Sequence, residues 1–418
     1  MSKITVIDSA CGTGKTSYAI QLMNDTSIDK QNFIFITPFL DEIERVKQSC
    51  KSRQFFEPNN KNKKGTKLEG LKNLLSNNMN IATTHALFKN IDKEVIQLLK
   101  NNSYILILDE VMQVIENITI TTDDFNMLLN NNIIKVCCDG KIEWLNKEYE
   151  GKFSDLKRYS LNNNLFLHSR SDDTGQLTLL VWCFPSEIFK LFEKSYILTY
   201  LFDGQLQRYY YDMYNIKYEK KSVIKTKNAF GITKYVLGDY IPYWEEDHEE
   251  LKKLIDIYEG KLNRIGDLPF TLSKSWYDKE AKSKQLDNLK NNAKNYFMNY
   301  NKAKSGEVIY TTFKKNNGKE YFKVNGYSSS FLSCNARATN EYADRQYLAY
   351  LINRFVPPMD LAFFEDKGVE TNQKLWALSE LIQWIWRSRI RKGESINIYI
   401  PSKRMRRLLF DYINNIRL

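Results

Sequence analysis

Eight residues near the start of the chain, Ser9-Ala10-Cys11-Gly12-Thr13-Gly14-Lys15-Thr16, have the types and order needed to cradle a polyphosphate. The glycines let successive backbone N–H groups turn toward an anion, so Cys11, Gly12, Thr13 and Gly14 would form the cradle. Lys15 would bring charge to the β- and γ-phosphates, and the Thr16 hydroxyl can ligate Mg2+. The full pattern G-x-x-x-x-G-K-[ST] asks for glycine at position 9, where this chain has Ser9, a small residue that can serve there. A phosphate loop also needs an acidic partner on a neighbouring strand to hold the metal and aim a water. Leu106-Ile107-Leu108-Asp109-Glu110 supplies one: Asp109 for the metal, Glu110 to polarise the attacking water. Together the two segments imply an NTPase using ATP and Mg2+, without saying of which kind.

A third constellation lies near the other end. Gln383, Arg387 and Arg391 fall at i, i+4 and i+8 in Gln383-Trp384-Ile385-Trp386-Arg387-Ser388-Arg389-Ile390-Arg391, a stretch that reads as helix. That spacing puts all three on one face, with Leu378, Leu381, Ile382 and Ile385 on the buried side. A row of guanidinium groups suits a triphosphate approached from a second lobe, as arginine fingers do.

Positioning these residues requires parallel sheets covered by helices. Apolar strands at Ile4–Asp8, Phe33–Thr37 and Tyr104–Leu108 alternate with helical stretches at Ser17–Met23 and Asp41–Cys50. Residues from about 133 to 183 break that rhythm with short strand-like pieces and turns, and read as a small β-rich insertion. The expected architecture is α/β, two RecA-like P-loop lobes in tandem over residues 1–217 and 218–418. In the second lobe the spacing predicts helices over 245–258, 280–300, 341–355 and 372–392, with strands at 307–312 and 396–400.

Composition narrows the partners. The net charge of +11, from 61 Lys+Arg against 50 Asp+Glu, favours a polyanion such as nucleic acid. No apolar run reaches the ~20 residues of a membrane span, and the N-terminus shows no signal-peptide pattern, so a cytoplasmic location is expected. The six scattered cysteines form no C-x-x-C pair, and with three histidines a zinc site is not expected.

The order of these motifs resembles superfamily 2 helicases over nearly the whole chain. SACGTGKT resembles motif I and Leu108-Asp109-Glu110-Val111 a DExx motif II. Ile36-Thr37-Pro38 resembles motif Ia and Ala82-Thr83-Thr84-His85 motif Ib. Leu198-Thr199-Tyr200 occupies the place of motif III with a poor match. Tyr310-Thr311-Thr312-Phe313 resembles motif IV, 336–340 motif V and Gln383–Arg391 motif VI. The last arginine of motif VI is one residue late, leaving either Arg389 or Arg391 as the second finger. Ser273–Tyr277 and residues 338–343 are similar to phage-encoded helicases distantly related to the herpesvirus origin-binding helicase.

The resemblance implies a monomeric ATP-dependent DNA helicase of phage replication or recombination, acting in the host cytoplasm. Its partners would be single-stranded or forked DNA and replication proteins, with no membrane contact. It further implies that Thr37, Thr83, Thr84, Thr312 and Thr339 grip the phosphate backbone. The rival readings are a packaging motor, a helicase loader, and a remodelling ATPase that does not unwind. Lys314, Lys315 and the tail residues Lys403, Arg404, Arg406 and Arg407 could add electrostatic contact, although a solvated helix face explains the tail equally well.

Overall fold

The computed structural model describes residues 3–168, 177–227, 230–335 and 341–418. The first lobe begins with β1 (Ile4–Asp8), β2 (Asn32–Thr37), β3 (Phe55–Phe56), β4 (Asn80–Thr84) and β5 (Tyr104–Asp109). β1 and β5 are buried along their whole length, as strands covered on both faces must be. An excursion follows through β6 (Ile115–Thr121), β7 (Ile134–Val136), β8 (Ile142–Trp144), β9 (Leu165–Leu167) and β10 (Leu177–Cys183). The chain then returns through β11 (Lys194–Thr199), β12 (Glu219–Lys227) and β13 (Thr233–Asp239).

Among the described residues eight of these strands form one sheet in the order β13-β12-β1-β11-β5-β2-β4-β3. Every pairing in it is parallel except β12 with β13. The register sets Asp8 beside Thr199, Leu198 beside Asp109, and Ile36 beside Leu108. The carboxyl ends of β1, β11, β5 and β2 therefore lie side by side, the place where open α/β sheets bind ligands.

Two expected boundaries shift. The insertion starts at Ile115 rather than near 133, because β6 pairs with β10 along its length and β9 completes a three-stranded antiparallel sheet. Its own core gathers Trp144, Phe125, Leu156 and Leu180. Residues 219–239, assigned from sequence to the second lobe, instead extend the first sheet. β12 continues the ladder of β1 from Thr5 opposite Glu219, while Val223, Tyr235 and Leu237 pack against the first-lobe core.

The second lobe holds a smaller parallel sheet of β14 (Ile255–Ile257), β15 (Val308–Thr311), β16 (Tyr347–Tyr350) and β17 (Ile396–Tyr399), in the order β14-β17-β16-β15. The expected helix over 341–355 is replaced by β16. The run Leu348-Ala349-Tyr350-Leu351-Ile352 is buried throughout, and so short an apolar run carries no periodicity to separate strand from helix. The helix Gln373–Ile385 stops before the arginines, and a separate 3-10 turn spans Arg389–Lys392.

The lobes interlock. A Cβ on Gly204 would lie 2.7 Å from the Leu375 carbonyl carbon, so glycine is required where the first lobe meets that helix. Gln205 Nε2 donates to Ser379 Oγ at 2.9 Å, and Tyr209 OH accepts from the Asn372 N–H at 2.8 Å. Phe363 and Phe364, on the helix Pro358–Asp366, pack in the first-lobe core, and Asp360 accepts from Asn117 of the insertion.

Candidate nucleotide and nucleic-acid sites

The loop after β1 turns through Gly12 and Gly14 at φ +85° and +99°, the left-handed region that glycine enters without cost. Gly14 sits at the N-cap of the helix Lys15–Asp25, an arrangement whose first N–H groups suit an anion. Lys15 Nζ donates to the carbonyls of Ser9 at 2.6 Å and Ala10 at 3.0 Å, holding its charge over the loop. Ser9 has a use that the phosphate-loop pattern does not reveal. Its Oγ accepts the Val223 N–H at 2.8 Å, while Ser222 Oγ donates to the Asp8 carbonyl at 3.1 Å.

Asp109 is clamped by two hydroxyls: Thr16 Oγ1 donates to one carboxylate oxygen at 3.2 Å and Thr37 Oγ1 to the other at 3.3 Å. His85 Nε2 lies 3.1 Å from the Asp109 carbonyl. Burial pushes the Asp109 carboxyl up to about 7, with Glu110 and Glu42 adding to the rise and the two hydroxyl bonds opposing it. Asp8 is likewise pushed up to about 7 by burial, against the Phe202 N–H it accepts at 3.0 Å. Glu110 adopts φ +66°, unusual for a residue with a side chain, and its N–H is tied to the Leu198 carbonyl at 2.9 Å.

Thr16 and Asp109 are hard oxygen donors facing each other, a set that fits Mg2+ completed by phosphate oxygens and water. Among the described residues no cluster of three His, Cys, Asp or Glu side chains could hold a metal by itself.

Gln383, Arg387 and Arg391 line a cavity of about 280 Å³ together with Gly12, Lys15, Thr16 and Glu110. They do so without the continuous helix expected for them. The helix ends at Ile385, Trp386 caps it, and extended Ser388 redirects the chain into the turn that carries Arg391. Arg389 points elsewhere, donating through Nε to the Ser395 carbonyl at 2.5 Å. An adjoining cavity of about 390 Å³ brings Asp109, Glu110, Arg387 and Arg391 together with Glu42 and Arg45.

Arg45, Tyr235 and Trp386 also line the site and carry no sequence signal of doing so. Arg45 belongs to an ordinary amphipathic helix, Leu40–Ser49, where it pairs with Glu42 at 3.0 Å. Trp386 reads as one more apolar residue of motif VI.

The threonines expected to grip a phosphate backbone are not presented together. Thr37, Thr83 and Thr312 are buried, and Thr37 and Thr312 already donate, to Asp109 and to the Phe313 carbonyl. Burial removes their hydroxyls from any surface in this conformation. Thr84 is half-buried and caps the helix His85–Lys89 through the Leu87 N–H at 3.4 Å. Thr339, with all of 336–340, lies outside the described residues. The basic tail is structural in good part: Arg404 donates to the Arg354 carbonyl at 2.6 Å, Arg406 to the Ile400 carbonyl at 2.8 Å, and Arg407 pairs with Asp411 at 2.7 Å. No helix of the described residues is long and apolar enough to cross a membrane.

Three families match parts of the chain. Residues 2–132 match the type III restriction enzyme, res subunit family, residues 115–182 the YonV middle domain, and residues 249–413 the YonV C-terminal Rossmann-like domain. The SPbeta prophage-derived uncharacterized protein YonV of Bacillus subtilis (strain 168) is 43% identical over 427 residues, with 100% of each chain covered. Among solved structures, apo XPD shares 12% identity over 99% of this chain and 95% of that one, with a TM-score of 0.46. S. tokodaii Xpd4 shares 12% over 98% and 93%, again at 0.46. At that level the architecture rests on the chain's own sheets rather than on these likenesses.

Proposed function

The chain belongs to the YonV family of prophage proteins, and from that premise we propose that it is an ATP-hydrolysing, nucleic-acid-stimulated motor of the superfamily 2 helicase kind. One observation carries the reading: Lys15, Thr16, Asp109 and Glu110 of one lobe and Gln383, Arg387 and Arg391 of the other meet around shared cavities. The match of the first lobe to a restriction-enzyme res subunit supports it further.

In this reading the P-loop amides and Lys15 bind the β- and γ-phosphates. Thr16 and Asp109 would hold Mg2+, which would neutralise charge developing on the phosphates. Glu110 accepts a proton from the attacking water, and Arg387 and Arg391 stabilise the γ-phosphoryl charge from the second lobe. Because the two halves of the site sit on different lobes, nucleotide binding favours their closure and hydrolysis releases it, the cycle a translocase needs. Of the threonines, Thr84 is the described residue best placed for a strand contact, and Thr339 remains part of the proposal. A DNA partner and a role in phage replication in the host cytoplasm follow from the same reading.

ATP turnover measured alone and with single-stranded DNA, RNA and duplex tests it. Stimulation by at least one nucleic acid is expected, with loss in Lys15→Ala and Arg387→Ala; undiminished turnover in Arg387→Ala would refute the two-lobed site.

A further inference from the structure

The hairpin β12–β13 extends the first-lobe sheet, and its position there puts it beside the P-loop. Its second strand carries Tyr235, whose ring lies against the P-loop so closely that a Cβ on Gly14 would sit 2.2 Å from Cε1. The ring therefore occupies the space any other residue at position 14 would fill. Tyr235 is half-buried and lines the same cavity as Gly14, Lys15, Thr16 and Ser17.

Its backbone is clamped in both directions by one side chain. Gln21 Nε2 donates to the Tyr235 carbonyl at 2.9 Å, and the Tyr235 N–H donates to Gln21 Oε1 at 3.0 Å. Gln21 belongs to the helix that the P-loop opens, so the aromatic ring is fixed to the phosphate cradle itself and not to the opposite lobe. Ser9 and Ser222 fasten the other strand of the hairpin to the same loop.

We propose that Tyr235 is the nucleobase platform of this site, stacking on the base of the nucleoside triphosphate whose phosphates lie over Gly12–Thr16. The inference rests on the nucleotide-site reading above. Lys15, Asp109 and the arginines mark where the terminal phosphates lie. The nucleoside must then leave the loop along the start of the helix, where Ser17 and Tyr235 form the wall. An aromatic face held rigidly there suits any base, because every base has a π-face and stacking needs no edge recognition. Trp386 is the other aromatic of the cavity, but it lies near Gly12 and belongs to the second lobe, so its distance from a bound base changes whenever the lobes open.

The test compares ATP with inorganic tripolyphosphate, each displacing a fluorescent ribose-modified ATP from the full chain. Tyr235→Ala is expected to weaken ATP about tenfold, the size of one base–aromatic stack, while leaving tripolyphosphate within about twofold of wild type. Tyr235→Phe is expected to restore ATP binding. Unchanged tripolyphosphate affinity also reports that the P-loop is intact. Equal losses for both ligands, or no loss for either, would overturn the platform, as would a base-dependent loss in Trp386→Ala with none in Tyr235→Ala. If neither ligand binds wild type in a Lys15-dependent manner, the nucleotide site itself fails, and the platform with it.

Discussion

Replacing Ser9 by glycine restores the consensus of a phosphate loop, and it is expected to harm this protein. Ser9 is buried, and its Oγ accepts the Val223 N–H at 2.8 Å at the point where β12 outruns its partner strand. The ladder offset between β1 and β12 places Thr5 opposite Glu219 and Ile7 opposite Lys221. Continued by two residues, that offset brings Ser9 opposite Val223, so the hydroxyl fills the ladder position the turning backbone has vacated. Ser9→Ala leaves a buried N–H without its acceptor, a cost of about 1–3 kcal/mol. Ser9→Gly adds about 0.5–1 kcal/mol of backbone entropy. Thermal unfolding should record both losses, with glycine the worse, and limited proteolysis should cut the 219–239 hairpin faster. The hairpin carries Tyr235, so ATP affinity should fall in parallel. A Ser9→Gly protein as stable as wild type, with an equally protected hairpin, would refute the reasoning.

Two further outcomes follow from the same geometry. Arg391→Ala is expected to lower nucleic-acid-stimulated turnover by about a thousandfold, the scale of a lost arginine finger, while Arg389→Ala, whose side chain is spent on Ser395, should retain most turnover; equal losses in steady-state ATPase assays would contradict the assignment. Asp8, held near 7 against an ordinary 3.8, makes the folded state bind more protons than the unfolded chain between those values, so its burial costs stability increasingly as pH rises through that window, by about 4 kcal/mol at most. Asp8→Asn should therefore raise the Tm at pH 8 and flatten its decline from pH 5, and superimposable profiles for variant and wild type would remove Asp8 as a titrating group.

The candidate phosphate-loop residues stand out in the sequence because a phosphate site would constrain both residue type and local order. Lys15, Thr16, Asp109 and Glu110 follow strands whose unbroken burial also shows in the sequence. The architecture of two α/β lobes followed from the same alternation. Pairing partners were not legible: nothing local in Glu219–Lys227 says that it joins β1, since a strand's neighbour is set by contacts two hundred residues away. Helix 341–355 failed for a related reason, because a buried run such as Leu348–Ile352 looks alike in either state. Spacing found Gln383, Arg387 and Arg391 for the wrong reason, since the helix that should have aligned them ends at Ile385 and a turn brings Arg391 into the cavity. The threonine contacts came from motif resemblance alone, which carries no information on burial.

The position of β1 also bears on how the chain is made. β1 leaves the ribosome well before its two neighbours in the sheet, β11 and β12, at residues 194–199 and 219–227. Until those have been synthesised, Ile4, Val6 and Ile7 lack the partners that bury them, and Ser9 has no Val223 to receive. The loop after β1 is thus completed only once strands some two hundred residues downstream have been made. Pairing of such long range is slow and leaves unpaired strand edges exposed meanwhile. A truncation ending at residue 132, where the restriction-enzyme match stops, would contain every residue proposed to bind phosphate in the first lobe and neither strand that flanks β1.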